Sequence, residues 1–182
     1  MDARMRGIVF DLDGTLVDLD VDWDRVDREV RAACREQGID PGEDDAWGLL
    51  ARARTRGCLE EVETVIAEHE VPGAKLSDRL DLADHVENLP VPAAVCSLNC
   101  EEACRTALAV HGLEAHVDVV IGRDTVDTWK PDPAPLVAAV DGLGIDRPEA
   151  MFIGDSERDA ITAHRADVPF ISDQQAVTVL DL

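Results

Sequence analysis

Short, almost wholly apolar runs alternate with helical patterns through the C-terminal two thirds of this chain, and that alternation restricts the fold more than any other feature. The runs cover residues 6–10, 93–96, 117–121, 150–153 and 168–171. Strands apolar at successive positions are buried on both faces, which is the condition of a parallel sheet with helices on either side. Helical periodicity separates them: one helix through Leu82, His85 and Val86, then helices over about 100–111, Leu136 to Val140, and 157–166. Between the first run and residue 78 the texture differs. Val26, Val30, Ala33 and Cys34 fall on one helical face ahead of Gly38. Trp47, Leu50 and Ala51 mark a second helix ending near Gly57. Leu59, Val62, Val65 and Ile66 mark a third, expected to stop before Pro72-Gly73. The expected fold class is therefore α/β, a three-layer Rossmann-like parallel sheet with a small all-helical segment inserted after the first strand. The expected division is core over 1–18, a helical cap over 19–78, and core again over 79–182.

Ligands bind beyond the carboxyl ends of strands in such sheets, and those ends carry polar groups here. The first run passes directly into Asp11-Leu12-Asp13-Gly14-Thr15. The second ends at Ser97, with Asn99 two residues on. The third leads through a loop to Trp129-Lys130-Pro131, and the fourth to Gly154-Asp155-Ser156-Glu157-Arg158-Asp159. Asp11 and Asp13 project to one side of an extended backbone, about 7 Å apart at roughly 3.3 Å per residue. Like charges that close repel unless a cation neutralises them or the pair does chemistry. An edge with several carboxylates, a hydroxyl and an amine suits a hard, oxygen-loving cation such as Mg2+ together with a phosphate. Lysine usage points the same way, since Lys75 and Lys130 are the only lysines among 17 cationic residues. A point-charge ammonium in the Lys130 loop is a choice the arginine-rich remainder does not make.

Composition narrows the function classes. A net charge of -22 lacks the basic footprint that nucleic-acid binding needs, and no run is long and apolar enough for a membrane span. The acids are dispersed along the chain, with almost no Lys. That pattern fits adaptation to high salt, where screening removes self-repulsion; a basic partner is the alternative. Five cysteines without scaffold spacing, and a strand within a few residues of the start that leaves no room for a signal peptide, lead to the expectation of a reducing, cytoplasmic setting.

The four elements, in this order and strand context, resemble the haloacid dehalogenase (HAD) superfamily, in its phosphoglycolate-phosphatase-like branch with a helical cap. The resemblance spans nearly the whole chain and is most specific at residues 11–15 and 154–159. It implies a Mg2+-dependent phosphomonoester hydrolase acting on a small phosphorylated metabolite. Asp11 would be the nucleophile that becomes an aspartyl phosphate. Its ordinary pKa, about 3.9, would leave it ionised without a base. Asp13 would protonate the leaving alkoxide and then activate water. Mg2+ would lie between Asp11, the Asp13 backbone carbonyl and Asp155, with Asp159 completing the acidic site as a ligand, through a water or through Lys130. Ser97 and Lys130 would hold phosphoryl oxygens, with Thr15 counted beside them and, with Gly14, shaping the loop. An acid at Asp13 sets the chain apart from true dehalogenases, whose halide needs no proton. The family's Asn directly follows the hydroxyl residue, whereas Leu98 intervenes here. Ser97 is accordingly expected to face phosphate and Asn99 to cap the next helix.

Arg52, Arg54 and Arg56 lie in the expected cap, as anchors for a substrate anion or as surface partners of acids, the second being favoured. Cys96, Cys100 and Cys104 are expected to pack. Trp23 and Trp47 are expected to fill the cap, and Trp129 to line the site mouth or anchor its loop. The rival functions are a sugar-phosphate mutase, a non-catalytic Mg2+- or phosphate-binding module, and an acidic interaction protein without a site.

Overall fold

In the computed structural model, which describes residues 5–180, five strands form one parallel sheet. They are β1 (Gly7–Phe10), β4 (Ala93–Cys96), β5 (Val119–Ile121), β6 (Ala150–Gly154) and β7 (Phe170–Ser172), in the spatial order β5-β4-β1-β6-β7. The central strand pairs Ile8 with Ala93 on one side and with Met151 on the other. The α/β fold class read from the sequence is the one observed.

Alternation along β1 shows why its residues are all apolar. Ile8 and Phe10 enter a core with Ala103, Cys104, Ala107 and Leu108 of α5 (Glu101–Val110). Val9, pointing the other way, joins Leu136, Ala139 and Val140 of α6 (Ala134–Gly142) and Ala163 and Ala166 of α7 (Glu157–Ala166). Alanines on these helix faces let the backbones approach the sheet closely, and each large aliphatic side chain buried there contributes roughly 1.5–3 kcal/mol.

A third apolar cluster stands apart from both. It joins Val26, Val30 and Cys34 of α1 (Trp23–Glu36), Leu49, Leu50 and Ala53 of α2 (Ala46–Arg56), and Val62 and Ile66 of α3 (Leu59–Lys75). This segment leaves and rejoins the rest through a two-residue antiparallel pairing of β2 (Val17–Asp18) with β3 (Asp78–Arg79). Asp22 and Asp45 cap α1 and α2 by accepting from Arg25 N and Gly48 N.

Several boundaries differ from the sequence expectation. The third helix does not stop before Pro72 but runs through it to Lys75. The missing Pro72 N–H costs one helical bond in the last turn, while neighbouring groups hold that turn in place. The Gly73 carbonyl accepts from Asp20 N at 3.3 Å, and Glu70 is anchored to the sheet edge as described below. The helix around Leu82–Val86 shrinks to α4 (Ala83–Val86), the last strand starts at Phe170 instead of 168, and α8 (Asp173–Leu180) follows it unforeseen. Among the described residues no helix is long and apolar enough to cross a membrane.

Candidate active site

Asp11 leaves the end of β1 with its backbone N–H donated to Ile153 O across the sheet, which ties the start of the loop to β6. The chain then tightens, Gly14 N donating to Val17 O and Leu16 N to Leu12 O. Gly14 has φ +79°, and a Cβ there would stand 2.5 Å from Asp155 Oδ2. Only glycine permits both that backbone and that contact. Residues from opposite ends of the sequence are thus pressed together by the fold.

Carboxylate oxygens of Asp11, Asp155 and Asp159 lie within 4.8 Å of one another. Lys130, 1% exposed, stands 2.9 Å from Asp11 Oδ1 and pairs with Asp159 Oδ1. Asp159 is completely buried at the start of α7 and closes a capping box with Ser156, its Oδ2 accepting from Ser156 N and Oγ. A Cβ at Gly154 would strike Asp159, so the glycine makes room for the carboxylate beneath the strand. Both Asp159 oxygens are engaged inside the protein, and Asp11 is engaged through Oδ1. Asp155 itself is exposed. This all-oxygen set fits Mg2+ by its chemistry.

Both loop carboxyls are shifted. Burial, opposed by Lys130 and reinforced by Asp159, pushes Asp11 up to about 7. The expectation that Asp11 is ionised simply because of its ordinary pKa is corrected: at neutral pH its charge depends on Lys130 and on any bound cation. Burial also pushes Asp13 up to about 6, against a hydrogen bond from Leu19 N, with Asp18 and Asp155 adding to the rise. Its Oδ1 accepts that bond at 2.9 Å. Asp155 is raised too, first by partial desolvation of its carboxyl in the crowded loop and then by Asp159. Burial alone would lower Lys130, but the Asp11 and Asp159 charges hold it above its usual value, so it stays an ammonium.

Ser97 follows β4 and is 2% exposed. Its hydroxyl donates to Asn99 Oδ1 at 3.0 Å and accepts from Asn99 N at 3.2 Å. Asn99 does not cap the following helix. Cys100 occupies the N-cap position without a side-chain cap, and Asn99 Nδ2 turns instead to Glu70 Oε1. Thr15 is buried, its hydroxyl without a hydrogen-bond partner.

Glu70 and Arg123 escaped the sequence reading. The Arg123 side chain has no exposure and grips Glu70 through two bonds of 2.8 and 3.0 Å, with further bonds to Leu98 O and Glu63 Oε1. Both had a signal. Arg123 follows Ile121-Gly122 at a strand's carboxyl end, the criterion that found the other groups. Glu70 breaks the four-residue stride Val62, Ile66, Glu70, Ala74 along a buried stripe.

The arginines of α2 divide. Arg52 pairs with Asp44 at the surface, as favoured from the sequence. Arg54 donates to Asp127 O at 2.6 Å and lies 4.6 Å over the Trp129 ring, fastening the Lys130 loop to the helices. Trp23 and Trp47 pack against each other at 6.1 Å. All five cysteines are free and buried, and burial pushes Cys96 and Cys100 up to about 12, which leaves both as inert packing thiols.

Comparison with known proteins adds an independent line. Residues 55–172 match the family model described as haloacid dehalogenase-like hydrolase. A phosphoglycolate phosphatase of Rhodospirillum rubrum is 42% identical over 77 residues, 42% of this chain and 32% of that protein. One from Rhodobacter capsulatus is 31% identical over 189 residues, covering 90% of this chain and 82% of the relative. Among solved structures, a hydrolase from Pseudomonas syringae superposes with a TM-score of 0.69 at 20% identity, over 92% of this chain and 84% of that one.

Proposed function

The chain belongs to the haloacid dehalogenase-like hydrolases, and from that premise we propose that it is a Mg2+-dependent phosphomonoester hydrolase working through an aspartyl phosphate on Asp11. Phosphoglycolate phosphatase is the name its relatives carry, so 2-phosphoglycolate is the first substrate to try. The observation that carries the proposal is the meeting of Asp11, Asp155 and Asp159 from two distant segments around the buried Lys130.

Both contacts on the Asp11 carboxylate fall on one oxygen: Lys130 Nζ at 2.9 Å and Leu12 N at 2.8 Å both engage Oδ1. Oδ2 makes neither contact, and the two bonds on Oδ1 fix the carboxylate's rotation in advance of attack on phosphorus. Lys130, held from behind by Asp159, supplies a fixed positive charge for the phosphoryl oxygens; the Ser97 hydroxyl, donated to Asn99 Oδ1 in the free protein, would turn to a phosphoryl oxygen when the ester binds. When bound, Mg2+ held by Asp11, the Asp13 carbonyl and Asp155 would neutralise charge between nucleophile and ester. Asp13, raised to about 6 by burial, retains a proton near neutrality more often than an ordinary carboxyl. It can give that proton to the leaving oxygen, then take one from the water that hydrolyses the acyl phosphate. The segment 19–78 acts in this reading as a helical cap on a core of 1–18 and 79–182, shielding the acyl phosphate from bulk water.

The test is a panel of phosphorylated metabolites and p-nitrophenyl phosphate assayed for inorganic phosphate release with and without Mg2+ at high salt, D11N serving as control. Release that needs both Mg2+ and Asp11 supports the proposal. Turnover by D11N at a rate near wild type, or none by wild type on any ester, contradicts it.

A further inference from the structure

One aromatic ring meets two guanidiniums. Arg123 lies 5.6 Å and Arg158 5.9 Å from the centre of the Trp47 ring, in the first turn of α2. Arg123 has committed its N–H groups to Glu63, Glu70 and Leu98 O. Among the described residues, every other buried or half-buried arginine also donates side-chain hydrogen bonds, namely Arg31, Arg52 and Arg79. Arg158, 31% exposed, donates none, and its ion pair with Asp45 Oδ2 is 3.9 Å long. A ring attracts a guanidinium through its charge and leaves the N–H edges open. Asp45 competes weakly for them, being 66% exposed with its Oδ1 already capping α2 through Gly48 N.

Position gives these open donors a use. Arg158 directly precedes Asp159 and follows Asp155 by three residues, so its backbone belongs to the turn that closes the acid cluster. Trp47, beside it, also meets the Arg123 that holds Leu98, the residue after Ser97. The ring therefore lies between groups from the ends of β6 and β4, the two neighbours of the strand that leads to Asp11. We propose that Arg158 determines specificity by binding a carboxylate on the alcohol part of the phosphomonoester, so that the substrate class is small phosphorylated hydroxy acids. The planar fork of a guanidinium matches the two oxygens of a carboxylate. An anion entering there displaces a loose contact with Asp45, not a formed hydrogen bond. In a chain of net charge -22, a substrate with two anionic ends needs a cation at each, and Lys130 and Arg158 meet that need. The assignment rests on the phosphomonoester hydrolase reading and deepens it.

Steady-state hydrolysis of 2-phosphoglycolate and of its uncharged amide, with Mg2+, separates this role from the chemistry at phosphorus. Wild type should favour the carboxylate-bearing ester about thirtyfold in kcat/KM, the worth of hydrogen bonds between charged groups. R158M should remove most of that preference, chiefly through KM. R158K should recover only part of it, because an ammonium lacks the fork. D45N, whose oxygen can still cap α2, should keep the preference or raise it. An equal loss on both esters in R158M, or a matching loss in D45N, would make the Arg158–Asp45 contact a latch between α7 and α2 and overturn the proposal. Wild type hydrolysing the two esters equally well also overturns it, while leaving the hydrolase reading intact. No phosphate release from either ester by wild type would sink that reading, and the carboxylate anchor with it.

Discussion

Replacing Asp11 should stabilise the metal-free protein. Asp11 is 7% exposed and its proton is held up to about 7 from an ordinary 3.8, burial outweighing the attraction of Lys130. At about 1.4 kcal/mol per pH unit, ionising this group costs about 4 kcal/mol more in the folded protein than in the unfolded chain. The Lys130 attraction is already contained in that figure. Asn is a neutral isostere, and its oxygen can keep both bonds now made by Oδ1, from Leu12 N and from Lys130. Lys130 also retains Asp159. Because the folded protein binds the Asp11 proton more tightly, the wild type loses no stability from this group below pH 3.8. The loss develops as pH rises to about 7 and is complete above it. Urea and thermal unfolding of wild type and D11N, in chelator, should therefore show a gap that is small near pH 4.5. By pH 8 it should reach about 4 kcal/mol, or about 10 °C for a chain of this size. Added Mg2+ should narrow the gap by stabilising the ionised wild type. Equal stability at pH 8, or a gap unchanged between pH 4.5 and 8, would refute the view of Asp11 as a charge held in the interior at a cost.

The remaining predictions concern its neighbours. K130M leaves Asp11 and Asp159 buried without their cation, and urea unfolding at pH 8 should show a loss of about 3–5 kcal/mol. D13N should depress kcat on an alkyl phosphate by about a hundredfold or more. Its effect on p-nitrophenyl phosphate, whose leaving group needs little protonation, should be smaller, and steady-state rates on the two esters give the comparison. With a charge of -22, the melting temperature should climb as KCl rises from about 0.1 to about 1 M, the screening length falling from about 10 to about 3 Å; a flat or falling curve would remove the case for salt adaptation.

Strands buried on both faces were legible because burial on both sides forbids polar residues at either parity. The run 93–96 and the helix 157–166 accordingly appear with the bounds read from the sequence. Two-residue pairing between Val17-Asp18 and Asp78-Arg79 has no periodicity to read, and α8 begins directly after β7 with no Gly or Pro between them to mark a boundary. Pro72 misled because its local preference is overridden by contacts of its own helix with distant residues, Glu70 with Arg123 above all. The candidate site was legible where chemistry sits on successive residues, as in Asp11 to Thr15 and Gly154 to Asp159. It was not legible where it depends on what packs around a group. Asn99 has the composition of a cap, yet a carboxylate 29 positions earlier draws it away. Asp11 has the composition of an ordinary acid, yet burial pushes it up to about 7.

Acid-quenching the enzyme during turnover of a phosphomonoester with Mg2+, then mapping the modified peptide by mass spectrometry, examines the covalent step itself. A phosphoryl group on the Asp11 side chain, absent from D11N and from samples lacking Mg2+, is the predicted result. Phosphate release with no phosphorylated peptide at any quench time, or with the group on another residue, would contradict it.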